Sequence, residues 1–312
     1  MRILQAGRRD SAGLAWRRAV RADLPALRAF LEADEAARVG FSGRLITGGE
    51  LRLPSSLRGA VWLADAGRGS IAGALLCHPS RLAFPIFPAV SGAACGEASG
   101  DPASSAKLDR DLSLLTSSFA PASALGLSRD VERYEAALSL SPRACVAYLL
   151  MRRSPRPREV VSHNAPAYPA LSLRRAEPAD LEALLPLQEA YEREEVLTCI
   201  HSFNASACRA SLSHALERQL VYVAQEGGVI VGKACTNARG FGADQIGGVY
   251  TLPERRGRGV ARSLVSALLY ELDAAGRGSS LFVKPTNASA RALYLGLGFE
   301  DIGDYRADYF EA

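Results

Sequence analysis

The chain repeats itself. Residues 17–35 read RRAVRADLPALRAFLEADE and residues 174–192 read RRAEPADLEALLPLQEAYE; aligned without gaps, 11 of the 19 positions are identical at an offset of 157. Alanine richness raises chance matching, but only to a few identities. A second echo follows, Val61-Trp-Leu-Ala64 against Val221-Tyr-Val-Ala224. Each is succeeded by a Gly-containing turn and then by Ile71-Ala-Gly73 or Val231-Gly232. The period is far longer than that of any solenoid, so it reads as a duplicated β–α–…–β–β unit. A length of 312 residues allows two such units, each with its own core. Between them Pro155, Pro157, Pro166 and Pro169 fix φ and remove backbone donors, which disfavours helix and central strand. The expected organisation is therefore residues 1–153, a Pro-rich linker at 154–170, and residues 171–312.

The second unit has the clearer pattern. Leu171–Arg175 reads as a strand. Asp180 is an N-cap candidate, followed by Leu181, Leu184, Leu185, Gln188 and Tyr191 at helical spacing. A further short helix falls at Leu212–Gln219. Val221–Gln225 and Val229–Thr236 are strands joined by Gly227-Gly228, a hairpin turn. Ile246–Leu252 and Leu281–Val283 are further strands. Ala261–Ala274 presents one apolar face as a helix, and Ala288–Leu297 is a helix closed by Gly298 at C′. Phe299–Phe310 suggests a last β pair. The first unit loses this order after Cys77, where residues 79–107 are rich in Pro, Gly, Ser and Ala; it returns at Ser128–Leu138 (helix) and Ala144–Met151 (strand). Alternating strands and helices give an α/β class with a mixed sheet.

Several function classes are disfavoured. A net charge of +4 is too small to argue for a nucleic-acid partner. Residues 1–20 lack a secretory apolar stretch, and Leu82–Gly96 is too short and proline-interrupted to span a membrane, so a cytoplasmic protein is expected. The six cysteines form no C-x-x-C pair. Cys199 and His201 make a lone C-x-H with no second ligand pair, and no metal is expected. His201 and His214 read as structural histidines.

The segment that carries chemistry is Val249-Tyr-Thr-Leu-Pro-Glu-Arg-Arg-Gly-Arg-Gly-Val-Ala261. A strand enters a Gly- and Arg-rich loop and passes directly into an amphipathic helix. Gly257 and Gly259 let the backbone approach a ligand. The N–H groups of the first helical turn and the helix dipole favour an anion such as pyrophosphate, and Arg255, Arg256 and Arg258 add to the sign. A dinucleotide G-x-G-x-x-G fails because Arg262 replaces the third glycine. The apparent P-loop at Gly227…Gly232-Lys233 has Ala234 in place of Ser/Thr and lies across a hairpin. The pattern Arg/Gln-x-x-Gly-x-Gly/Ala is met in full by Arg256-Gly-Arg-Gly259-Val-Ala261.

That loop, with Asn287-Ala-Ser-Ala-Arg-Ala-Leu-Tyr294-Leu-Gly-Leu-Gly298-Phe299 downstream, resembles the two signatures of the GNAT superfamily of acyl-CoA-dependent N-acyltransferases. The resemblance covers about residues 171–312. It implies acetyl-CoA as cosubstrate, with the pyrophosphate held by backbone N–H groups of Arg256, Gly257, Arg258, Gly259, Val260, Ala261 and Arg262. The pantetheine arm would pair with Val249, Tyr250, Thr251 and Leu252 like an added strand, and Asn287 would touch the arm. Tyr294 would protonate the leaving thiolate as a primary amine attacks the thioester. Family enzymes often hold a carboxylate base near the start of this strand, a place Asp244 takes by position alone. Tyr191 and Glu195 could line the acceptor pocket.

Residues 1–153 carry no such loop and resemble the degenerate copy of a tandem GNAT protein, non-catalytic and packed on its partner or shaping the acceptor site. The expected partner is a small-molecule or peptide amine, with no nucleic acid and no membrane. A homodimer is left open, since two copies in one chain can mimic one. The rival reading is an acetyl-CoA-binding sensor or regulatory module without turnover, which needs the loop but neither Tyr294 nor Asp244.

Overall fold

In a computed structural model of the chain, residues 14–54, 59–65, 70–87, 102–156 and 168–311 are described. The first half runs β1 (Ala15–Arg18), α1 (Leu24–Glu32), α2 (Glu35–Leu45), a small hairpin β2 (Ile46–Thr47) and β3 (Glu50–Leu51), then β4 (Ala60–Asp65), β5 (Ile71–Cys77), β6 (Leu82–Ile86), α3 (Pro102–Leu115), β7 (Ser123–Leu127), α4 (Ser128–Leu138) and β8 (Ala144–Arg153). The second half runs β9 (Leu171–Arg175), α5 (Leu181–Tyr191), α6 (Ala205–Arg218), β10 (Val221–Glu226), β11 (Val229–Arg239), β12 (Ala243–Thr251), α7 (Val260–Ala274), β13 (Gly278–Val283), α8 (Ala288–Gly296) and β14 (Glu300–Tyr309).

The sequence repeat has a structural cause. In the first half, Arg17 makes a two-pronged ion pair with Asp23 (2.8 and 2.7 Å), and Asp23 Oδ2 accepts the Val20 N–H at 2.7 Å. In the second, at the same offset, Arg174 grips Asp180 (2.7 and 2.7 Å), and Asp180 Oδ2 accepts the Glu177 N–H at 2.7 Å. The conserved spacing thus ties each first strand to the turn opening its first helix. Asp180 does this rather than capping α5, since no side-chain cap bond is made there. The arginine at each site holds its aspartate below the usual carboxylate range.

Twelve strands form one sheet in the order β1-β4-β5-β6-β7-β14-β8-β13-β12-β11-β10-β9. Within each half the strands follow the same path, but the last strands are exchanged. β8, from the first half, pairs antiparallel with β13 of the second, Ser279 opposite Arg153. β14, from the second half, pairs antiparallel with β7 of the first, Tyr305 opposite Leu127. β8 and β14 pair with each other at the centre. The expected β pair at 299–310 is thus one ten-residue strand with a neighbour on each side. A bidentate pair locks the crossing: Arg153 meets Asp273 at 2.7 and 2.8 Å, with side chains 4% and 0% exposed.

In the second half, α6 begins at Ala205 rather than at the expected Leu212; other differences lie in the first half. Residues 79–107 hold strand β6 and the start of helix α3, which low apolar periodicity concealed. Much of the Pro-rich stretch, and residues 88–101, lie outside the described residues. Gly298 does end α8 in a left-handed conformation, φ +88°. Among the described residues, no helix is long and apolar enough to cross a membrane, and no group of three or more His, Cys, Asp or Glu could hold a metal ion.

Candidate active site

β12 and β13 are parallel and pair only from Ala243↔Gly278 to Ile246↔Leu281. Beyond Ile246 they part, so residues 247–251 have no strand partner on that edge among the described residues. β12 also gains a residue against β11 there. Lys233 opposes Tyr250 while Cys235 opposes Gly247, and Gly248 takes φ +57°. Such a bulge bends the strand and releases backbone groups from the ladder. A cavity of about 950 Å³ fills the opening and reaches the loop before α7.

At the loop, Gly257 (φ +74°) and Gly259 (φ +81°) adopt the conformation that glycine takes without strain. Gly259 is the N-cap of α7 and has no side chain to satisfy the orphan N–H groups of the first turn. A β-carbon built at Gly257 meets nothing within 4 Å, so the loop leaves open space beside its backbone. Thr251 Oγ1 is buried without a hydrogen-bond partner and Thr251 lines the cavity. The free strand edge, glycine loop, bare helix start and orphan hydroxyl fit an extended ligand ending in an anion. The arginines add less charge than their number suggests. Arg256 pairs with Glu194 at 2.8 Å and donates to Thr251 O at 3.1 Å, and Arg255 pairs with Glu226.

Of the expected binding residues, Val249, Tyr250, Thr251, Arg256, Gly257, Gly259, Val260, Ala261, Arg262 and Asn287 line the cavity. Arg258 and Leu252 do not; Leu252 gives its N–H to Val231 O at 3.0 Å and packs into the core. Asn287 caps α8, its Oδ1 accepting Ala290 N–H at 3.0 Å.

Tyr294 lines the same cavity, 8% exposed. Its position follows from the end of α8. Phe299 N–H bonds to Tyr294 O (3.0 Å) and Gly298 N–H to Leu295 O (2.9 Å), the paired bonds of a Schellman motif. The Phe299 ring meets the Tyr294 ring edge-on at 5.9 Å. The Gly-Phe of the sequence signature is therefore the device that holds the tyrosine. Burial, helped by the Glu195 carboxylate, pushes its phenol up to about 12.

Asp244 is corrected. It sits at the start of β12 as expected, but it is 0% exposed and does not line the cavity. Its carboxylate is held by Arg277 (2.5 Å) and Arg239 (3.3 Å), and Arg277 also donates to Gly240 O and Phe241 O at 2.8 Å each. It braces the β11–β12 turn and has no access to a substrate amine.

Tyr191 and Glu195 line the cavity, as the sequence reading allowed, and so do residues of the first half; the π-turn, Glu192, Glu194, Lys233 and the identity of the first-half residues were not read from the sequence. A π-helical turn at Glu192–Val196 brings Glu192, Glu194 and Glu195 to the cavity, beside Tyr191. Glu195 pairs with Lys284 at 3.2 Å, and Glu192 accepts from Gln188 Nε2 at 2.9 Å. Lys233 is 2% exposed and gives its amine to Gly248 O at 3.1 Å, 4.5 Å above the Tyr191 ring; burial lowers its pKa. The helical period explains none of these, because a π-turn has its own spacing and the lysine is buried by a strand. The first-half residues that line the cavity are Arg44, Leu125 and Tyr148.

The first half has a counterpart cleft where β6 and β7 part after Ala83↔Ala124, but it encloses only about 150 Å³. Its α4 ends in the same Schellman geometry, with Ser139 left-handed (φ +53°) and Leu140 N–H bonded to Glu135 O at 2.9 Å. Glu135 thus stands where the second half has Tyr294.

A parallel pair of strands parting over a glycine-rich helix start, with a buried tyrosine facing the gap, is a GNAT fold; the first half repeats its strand layout without the glycine loop or the tyrosine. Residues 183–299 match the model of the Acetyltransferase (GNAT) family, and the chain carries a GNAT acetyltransferase domain there. A tandem GNAT protein from the clavulanic acid biosynthesis pathway shares 15% identity with a TM-score of 0.55, covering 96% of this chain and 99% of its own. A Drosophila protein shares 13% identity with a TM-score of 0.64, covering 96% and 100%. A GNAT-family chain from Novosphingobium aromaticivorans shares 22% identity, but only 54% of this chain and 65% of that one align, with a TM-score of 0.41. No curated protein sequence matches.

Proposed function

We propose that the chain is an N-acetyltransferase whose chemistry lies in residues 171–312 and whose residues 1–153 carry no second active site. The observation that carries this reading is the single continuous cavity joining the Gly257–Gly259 helix start to Tyr294 along the unpaired edge of β12. Acetyl-CoA, when bound, supplies a thioester open to attack by a primary amine. The N–H groups of Arg256–Arg262 hold its pyrophosphate, with Arg258 contributing only through the backbone. Residues Val249–Thr251 orient the arm and Asn287 lies beside it. Tyr294, kept protonated by burial, gives its phenolic proton to the departing sulfur. Glu192 faces the cavity without an arginine or lysine ion-pair partner among the described residues and takes the proton from the amine.

The test is thiol release by the purified chain with acetyl-CoA and a broad amine panel. Amine-dependent release, with kcat falling by about 10²-fold or more in Tyr294→Phe and little change in CoA affinity, is expected. CoA binding with no amine-dependent release would replace this reading with a sensor role.

A further inference from the structure

The half without a cofactor site sends one cation into the cavity. Gly43, in the last turn of α2, stands so close to β11 that an added β-carbon would lie 3.1 Å from Ala238 Cβ and 3.2 Å from Arg239 N. The next residue, Arg44, lines the cavity, as Ala238 does. One face of its guanidinium lies 4.6 Å from the Phe84 ring centre, and Nη1 donates to Gly40 O at 2.7 Å. A guanidinium has five N–H donors, and the remainder have no protein acceptor among the described residues. No carboxylate pairs with it there, although Arg255, Arg256 and Lys284 around the same cavity each have a glutamate partner. Its surface opens onto the cavity while the protein around it desolvates it, lowering its pKa. A guanidinium open to the cavity and free of a protein carboxylate can take a ligand carboxylate in a charge-assisted, two-pronged pair.

Arg44 also lies at the proper end. The anion loop follows Thr251, whereas Ala238 neighbours Gln245 in the β11–β12 ladder. Thr251 lies six residue steps beyond Gln245, about 20 Å along an extended strand. Arg44 therefore serves neither the pyrophosphate nor the arm, and it faces the acceptor region.

Resting on the acetyltransferase reading, we propose that the acceptor is a small amine that also bears a carboxylate, an amino acid or related amino-carboxylic acid, and that Arg44 of the first half binds that carboxylate. The degenerate copy then determines specificity for the active one.

The experiment compares each standard amino acid with its amide, its decarboxylated amine and a short peptide-amide carrying it at the N-terminus, in thiol release with acetyl-CoA. The expected result is a kcat/KM preference for one or a few free acids over all three counterparts. In Arg44→Met that acid-to-amide preference falls by at least about 30-fold, the low end for removing one partner of a desolvated charge pair; Arg44→Lys keeps part of it. Because the amide reports on the same variant, a folding defect lowers both rates and leaves the ratio. Equal use of acids and amides by the wild type, or a preference that survives Arg44→Met, overturns the proposal while the acetyltransferase reading stands. If no amine releases thiol, that reading fails instead. The anion site is then judged by thermal shift of the CoA-loaded protein with N-acetyl amino acids and their amides. Stabilisation by the acids alone, lost in Arg44→Met, supports it, and no difference overturns it.

Discussion

Tyr294 and Lys233 illustrate two uses of a buried ionisable side chain. For the tyrosine, burial disfavours the phenolate and raises the pKa to about 12, against about 10 for an exposed phenol. The sign matters for the acid role: the proton stays on the oxygen across the range in which an amine substrate becomes neutral. The kcat–pH profile should accordingly rise with the amine and show no Tyr294-dependent fall near pH 10; an alkaline limb there that vanishes in Tyr294→Phe would keep the tyrosine as the acid but show that burial does not hold its proton that far. For Lys233, burial shifts the balance toward the neutral amine, and its hydrogen bond to Gly248 O anchors the bulge that opens β12. Burying an amine costs free energy unless it is fully partnered. Lys233→Met should hold or raise stability, by about 1 kcal/mol, while kcat falls as the bulge relaxes. Urea melts and steady-state rates measured together test it; a loss of stability with kcat retained would mean that the lysine is purely structural.

The loop from Pro253 to Gly259 turns a strand into a helix and, in the proposed function, forms the anion site in the same step. Gly257 needs φ +74°, and a side chain in this left-handed region costs about 1–2 kcal/mol. Among the described residues, no atom beyond its chain neighbours lies within 4 Å of an added methyl group, so the core would not be disturbed. Gly257→Ala should therefore melt within a few degrees of wild type while its Kd for CoA rises at least about tenfold, roughly 1.4 kcal/mol. Unchanged CoA affinity in a titration would remove the loop from the site. This element was legible in the sequence because its chemistry is local: two glycines, a helix start and a strand end are all read within 13 residues. Tyr294 was legible for the same reason, since Gly298 and Phe299 that position it are neighbours in sequence. Asp244 misled because distance along the chain says nothing of the two arginines, Arg239 and Arg277, that enclose it. Arg44 and Lys233 gave no signal, because their place in the cavity depends on how α2 packs on β11 and on a bulge.

The duplication itself was legible, but the exchange of β8 and β14 was not, since pairing across 120 or more residues leaves no local pattern. Its energetic consequence is that neither half completes its own sheet. β13 has β8 as its outer neighbour and β7 has β14, so unfolding one half strips a strand from the other. The Arg153–Asp273 pair joins β8 to the end of α7 at this crossing, where Arg153 also donates to Leu297 O at 3.1 Å and Asp273 accepts the Arg156 N–H at 2.9 Å. Removing one member of such a buried pair leaves an uncompensated charge and costs about 3–5 kcal/mol. Both tryptophans of the chain, Trp16 and Trp62, lie in the first half, on β1 and β4 at the far end of the sheet from α7. Their fluorescence therefore reports on a region that Asp273 does not touch. If the exchanged strands couple the halves, Asp273→Leu should lower the fluorescence-detected urea midpoint as much as the midpoint seen by far-ultraviolet circular dichroism, and the two curves should coincide. If instead the fluorescence midpoint stays at the wild-type value while the circular dichroism transition splits, the halves unfold independently and the crossing is a contact between two finished domains.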